Sequence, residues 1–452
     1  MPQNIKLKYN IKVYVFIKNK LQNKVADLEY FFQSVLDERN VAADSSPKKA
    51  IQALYTEVKE RYKQQSQDEI LKELQQLLFH SLFVRLDLRS EAVDRYLTFD
   101  AINSRGLPLT QFDKIKNYCM LIVERRNNLS INANVQWYEA IKELDKFEVG
   151  SRHDENTFIN DLLSVFLCKS FGVEKTHSEF VKYFGSLLKS NNPKLVQRLI
   201  EFIELWKKYS HAFGVIHTKN DNIRVQDKKI TAIANNWLVR RDNLSMQATT
   251  RVVLTNAYLL LTDKEFEVIC EYAEKFTFRV YSANTGNKVN KYDGTFIRIS
   301  CWGMKQKFVA DIDWWKQVFC YYLSKSPMQE NIQFLKSNYS RYPHSDVKGW
   351  TGNGLHYFLY EYEVEHQNPK KSIPFPDKTL FIKQSIEHIL PQSWISVPYW
   401  KKTWSSADGL IYQHKLANLV MTENRKNSIL GNKPFPEKLN GPANHFYNHA
   451  KS

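Results

Sequence analysis

Three stretches near the C-terminus decide how this chain is read. They are Ile386-Glu387-His388-Ile389-Leu390-Pro391, His414-Lys415-Leu416-Ala417-Asn418-Leu419, and Asn424-Arg425-Lys426-Asn427-Ser428-Ile429-Leu430-Gly431-Asn432, with Phe435 and Lys438 just beyond. Neighbouring residues on a strand face opposite ways, so Glu387 and His388 can divide the work of phosphodiester hydrolysis. Glu387 would hold a divalent cation while His388 takes the proton from water. Oxygen donors such as a carboxylate and an Asn amide suit Mg²⁺ or Mn²⁺, not zinc. Each residue also has a plainer reading. His388, between two isoleucines, would by itself be a core histidine; Glu387 can orient His388 instead of binding a metal, and Asn427 can cap a helix. His414 divides between a phosphate contact and a tie across the hairpin. Arg425, Lys433 and Lys438 divide between phosphate contacts and solvated surface.

Working outward, residues 376–452 carry ten Lys and Arg against five Asp and Glu, and four of the 12 histidines. Two prolines in Ser372-Ile373-Pro374-Phe375-Pro376 break the pattern before them and mark a linker, so 372–452 reads as a separate unit. The whole chain has 452 residues and a formal net charge of +16, which favours a polyanionic partner, nucleic acid or an anionic membrane surface. No apolar run approaches the ~18 residues of a membrane span; Ala257-Tyr258-Leu259-Leu260-Leu261 is typical. The N-terminal run Val13-Tyr14-Val15-Phe16-Ile17 is shorter than the roughly 7–15 residues of a secretory signal core. We therefore expect no membrane and keep nucleic acid. The 5 cysteines (Cys119, Cys168, Cys270, Cys301, Cys320) are odd in number and hold no C-x-x-C pair. That pattern predicts neither a disulfide framework nor a zinc site and suits a reducing cytoplasm.

Upstream of the linker the chain reads as helical. Glycine and proline number only 14 each, too few for the regular turns of an all-β sandwich or barrel. Ser45-Ser46-Pro47 reads as a cap and first-turn proline, followed by Ile51, Leu54, Tyr55, Val58 and Tyr62 on one helical face. Further helices are expected over 68–79, from Pro193, over 251–261 and over 263–278. Residues 81–89 alternate as a half-buried strand, and Ser90 starts a helix that Arg105-Gly106-Leu107-Pro108 ends. The stripe Trp314-Trp315-Phe319-Tyr322 has the chemistry to stack bases, but at helical spacing such stripes build cores. The fold class is accordingly mainly α with a small α+β part, organised as 1–130, 131–371 and 372–452.

The tail resembles an HNH nuclease, the ββα-metal finger, in the variant with asparagine in place of the last histidine. Its wording, E-H-I-L-P-Q, then H-x-L-x-N-L, then N-S-I-L-x-N…F…K, is similar to the C-terminal half of GmrSD-type modification-dependent restriction endonucleases. The resemblance implies a general base at His388, a loop-ordering residue at Asn418, and a metal site completed by Asn427 with Glu387. Ala417 stands where that family usually has glycine. Phe99-Asp100-Ala101-Ile102-Asn103-Ser104-Arg105-Gly106-Leu107-Pro108-Leu109, with Asp113 to Asn117, resembles the end of the family's N-terminal half. Leu355 to Glu363 resembles the helix preceding its nuclease finger.

The family's N-terminal half opens with a sheet carrying D-G-Q-Q-R, and neither that string nor a G-x-x-x-x-G-K-[ST] loop occurs here. No nucleotide-binding residue is therefore expected, and 1–130 reads as a remnant of that half. What the resemblance implies is a divalent-metal-dependent DNA endonuclease with Mg²⁺ or Mn²⁺, cutting foreign or modified double-stranded DNA to 5′-phosphate and 3′-hydroxyl ends. The alternative is a non-catalytic DNA-binding subunit dependent on a separate subunit that carries the nucleotide-binding half.

Overall fold

A computed structural model describes residues 30, 33–37, 46–63, 65–80, 109–125, 131–244, 248–282, 292–305, 312–325, 354–366, 384–413 and 415–440. The expected strand at 81–89, the helix from Ser90, the patch Asn103–Gly106, the linker at 372–376 and His414 lie outside these residues. The described chain is mostly helical, with a small two-stranded antiparallel sheet near the C-terminus. The helices are α1 (Ser46–Lys63), α2 (Gln67–His80), α3 (Gln111–Glu124), α4 (Ala133–Lys146), α5 (Arg152–Leu167), α6 (Thr176–Phe184) and α7 (Pro193–His217). They continue as α8 (Ala232–Asn243), α9 (Ala248–Leu260), α10 (Asp263–Phe276), α11 (Asp293–Lys305), α12 (Ile312–Ser324) and α13 (Gly354–His366). Strand β1 (Gln384–His388) follows, then α14 (Pro398–Thr403), α15 (Ser406–Tyr412), β2 (Leu419–Glu423), α16 (Asn424–Leu430) and α17 (Phe435–Asn440).

The chain divides into two compact units, residues 1–160 with 173–214, and residues 161–172 with 215–452. In the first, α3 starts on a capping box: Thr110 accepts from Asp113 N while Asp113 accepts from Thr110 N, satisfying two amides that a helix start leaves open. Its Phe112 packs edge-on against Phe158 and Trp206, at centroid distances of 5.1 Å each, and all three are fully buried.

In the second unit, α10 opens on a Thr262/Glu265 capping box and buries Phe266, Ile269, Cys270, Ala273 and Phe276. The expected helix over 263–278 passes into a π-helical stretch at Thr277–Ser282, which keeps Phe278, Val280 and Tyr281 buried. Within the aromatic stripe, Trp315 and Phe319 are fully buried and hold α12 to the core. Two buried guanidiniums, Arg224 and Arg241, share Asp242 at 2.7 and 2.6 Å. Burial alone would raise the Asp242 carboxyl's pKa, but the two arginines outweigh it and hold it low. The cysteine spacing predicts no disulfide, yet Cys168 and Cys301 are bonded, with Cα atoms 5.3 Å apart. Their separation of 133 residues is one no local spacing rule can reveal.

Helix α13 positions the sheet. Its Leu355 and Leu359 pack with Ile386 of β1 and Leu419 of β2, while its Tyr357 and Tyr360 pack with Leu244 and Phe278. One helix thus belongs both to the helical core and to the floor of the sheet.

Candidate active site

β1 and β2 pair antiparallel, with Ile386 opposite Met421, Glu387 opposite Val420 and His388 opposite Leu419. Alternation turns Ile386 towards α13 and Ser385 and Glu387 the other way. Helix α16 follows β2 directly and returns over β1: the Asn427 amide nitrogen donates to Ser385 Oγ and, at 3.3 Å, to the Ile386 carbonyl. With its nitrogen turned to the strand, the Asn427 amide has its oxygen as the end that suits a cation.

His388 ends the strand and is buried, as is Glu387. The Gln392 side-chain nitrogen stands 3.4 Å from His388 Nε2. In that contact the amide donates and the single lone pair of His388 Nε2 accepts.

Asn418 ties the loop behind the histidine. Its Oδ1 accepts from Leu390 N at 2.6 Å, and its Nδ2 donates to Leu390 O at 3.0 Å and to Gln413 O at 2.7 Å. Its main-chain oxygen accepts from Ile389 N at 2.9 Å, carrying the strand pairing one step past His388. These bonds reach the residues after His388 and order the main chain there. Gln413 is buried and donates to Gln392 O at 2.7 Å, closing the same loop.

The sequence leaves Lys438 between a phosphate contact and solvated surface, and its buried position is neither. The side chain is fully buried, and its ammonium donates to Glu387 Oε1 at 2.6 Å, His388 O at 3.0 Å and Ile389 O at 3.2 Å. An ammonium has three protons, and these contacts use all of them. Burial pulls its pKa below the ordinary lysine value, and the bond to Glu387 draws it partly back. The reason for the placement is packing. Phe435, one turn earlier on α17, sits against Leu390, Trp394 and Trp400, and Trp400 Nε1 donates to the Asn432 and Lys433 carbonyls. Lys433 is half-buried and Arg425 is exposed.

Among the described residues, no group of three or more His, Cys, Asp or Glu side chains is gathered to hold a metal ion. The protein donors on hand are the Glu387 carboxylate and the Asn427 amide. That sparse, oxygen-only set fits an ion such as Mg²⁺, which keeps several waters and takes one or two carboxylates plus substrate phosphate. Glu387 Oε1 also accepts from Lys438, so the carboxylate is shared with an ammonium.

The sequence pointed to Glu387, His388, Asn418 and Asn427, and these gather on one hairpin and the helix after it. It missed Ser385, Gln392, Gln413 and the interior place of Lys438. Gln392 closes the E-H-I-L-P-Q wording, which assigns it no role; Gln413 and Ser385 carry no signal.

Residues 336–451, about a quarter of the chain, match the family model of the GmrSD restriction endonucleases, C-terminal domain. The tail is thus similar to a restriction endonuclease domain. No curated protein matches the chain. No helix among the described residues is long and apolar enough to cross a membrane.

Proposed function

We propose that the C-terminal segment is an HNH-type, divalent-metal-dependent DNA endonuclease that hydrolyses phosphodiester bonds in defence against foreign or modified DNA. The observation that carries the reading is the bond from Asn427 on α16 back to β1 beside Glu387 and His388, inside the stretch that matches a restriction endonuclease domain. A strand, a strand and a helix returning over the first strand are the elements that such a finger would need.

In this reading His388 is the general base: the attacking water takes the place of the Gln392 amide at Nε2 and gives its proton to the ring. Glu387 and the Asn427 amide oxygen hold one Mg²⁺ or Mn²⁺. Bound there, the ion supplies charge neutralisation at the phosphate and stabilises the departing 3′ oxygen. Asn418 keeps the main chain after His388 in one conformation, so that the ring is presented without a search through rotamers. Arg425, exposed on α16, and Lys433 face the duplex phosphates, with His414 as a third contact. The net +16 of the chain draws the polyanion in.

The test is to incubate the purified chain with supercoiled plasmid in Mg²⁺ or Mn²⁺, beside a chelated control. Plain, methylated and glucosylated DNA should be compared, with and without nucleotide. The reading predicts metal-dependent nicking that chelation abolishes. Cleavage that begins only when a subunit carrying a nucleotide-binding half is added would favour the partner-dependent reading, and nicking unaffected by chelator would exclude the metal mechanism.

A further inference from the structure

We infer that Lys438 is a positioning residue of the proposed nuclease site, aligning Glu387 for the divalent ion and fixing the main chain that carries His388. The inference rests on the nuclease reading and deepens it. Three observations carry it. The ammonium is wholly buried, so it is not available to phosphates. Its three acceptors are Glu387 and the carbonyls of His388 and Ile389, the ligand and base positions of the site and the residue after them. And α17, which carries the ammonium, is anchored by Phe435 packed against Leu390, Trp394 and Trp400.

A mere strap would not be built this way. Taking a carboxylate and an ammonium out of water costs several kcal/mol per ion, and an apolar pair of the same volume commonly holds a fold as well or better. The charged pair makes sense if the carboxylate must be fixed in orientation. With Oε1 held at 2.6 Å by the ammonium, the Glu387 carboxylate is kept in one orientation. The same ammonium, through the His388 carbonyl, couples the pose of the base to the pose of the ligand.

The test uses the full chain with Lys438→Met, which keeps length and removes charge, and Lys438→Ala. Mn²⁺ binding is measured on the DNA-free protein by loss of the free-ion electron paramagnetic resonance signal, and nicking is measured per folded molecule. Residues that orient metal ligands are worth about 10–100-fold in metal affinity or activity. Lys438→Met should therefore bind Mn²⁺ at least ten-fold more weakly and nick at least ten-fold more slowly. Propylammonium should restore nicking by Lys438→Ala, while propanol should not. A folded Lys438→Met with wild-type Mn²⁺ affinity and wild-type nicking would overturn the inference, as would equal rescue by propanol. If the variants do not fold, wild-type protein labelled with ¹⁵N-lysine decides. Mn²⁺ should broaden the protected Lys438 ammonium resonance, and a resonance left sharp at saturating ion contradicts the placement. A wild-type chain that neither binds Mn²⁺ nor nicks removes the nuclease reading itself and this inference with it. A wild type that nicks while Lys438→Met matches it removes only the role of Lys438.

Discussion

Replacing Asn418 with aspartate should harm the protein more at pH 8 than at pH 5. The amide makes three bonds from one side chain: it accepts from Leu390 N at 2.6 Å and donates to Leu390 O at 3.0 Å and Gln413 O at 2.7 Å. At about 1 kcal/mol each, with more for the buried amide left without a partner, Asn418→Ala should cost about 3 kcal/mol. Asn418→Asp has the same shape and keeps the acceptor, but it loses both donors and turns a carboxylate oxygen towards two carbonyl oxygens. It must stay charged against them or take up a proton, so its folded-state pKa lies above its unfolded value. A carboxyl raised in this way is penalised at high pH and relieved as pH falls. Asn418→Asp should thus match or exceed the cost of Asn418→Ala at pH 8 and recover part of it at pH 5. The assay is thermal melting of both variants at the two pH values, with hydrogen exchange over 388–392 to read the loop directly. Asn418→Asp as stable and as protected as wild type at pH 8 would refute the reasoning.

Other changes test the frame around the site. Burial lifts the Glu274 carboxyl's pKa to about 7, against the pull of its bond from Tyr357. The folded state therefore holds that proton more tightly than the unfolded chain, and the stability this provides is full below the ordinary value of 4.5 and lost as pH rises to about 7. Glu274→Gln, which can still accept from Tyr357, should leave stability unchanged near pH 4.5 and raise it by up to about 3 kcal/mol at pH 8, measured by paired urea melts. A difference between variant and wild type that does not grow with pH contradicts this. Gly409→Ala should lower the melting temperature, although alanine is the better helix former by about 1 kcal/mol. Its Cβ would fall 2.2 Å from Trp394 Cζ2, and overpacking of that kind costs roughly 1–3 kcal/mol; a raised melting temperature would show that the ring moves aside freely.

Much of the architecture was legible because it rests on local pattern. Pro193 starts α7, the helix expected from residue 263 is α10, and Leu355 to Glu363 lies within α13, since apolar periodicity acts over a few residues. The hairpin was legible for a different reason: Glu387-His388 and Asn418-Leu419 combine strand character with side chains that chemistry restricts. What could not be read depends on distant partners. Lysine in a sequence reads as surface, and nothing near Lys438 announces that Glu387, 51 residues earlier, will receive its ammonium inside the protein. Tyr357 and Glu274 meet across 83 residues in the same way. Cys168 and Cys301 defeat spacing arguments altogether, because only the packing of the helices that carry them brings the sulfurs together.

The central claim is that His388 activates the water. It is tested most directly by the single-turnover nicking rate of His388→Ala against wild type, in Mg²⁺, with both proteins shown to share one melting profile. Loss of a positioned general base costs about 10²–10⁴-fold. The loss for His388→Ala should fall in that range with plasmid binding retained; nicking by it at the wild-type rate would remove His388 from the role of base.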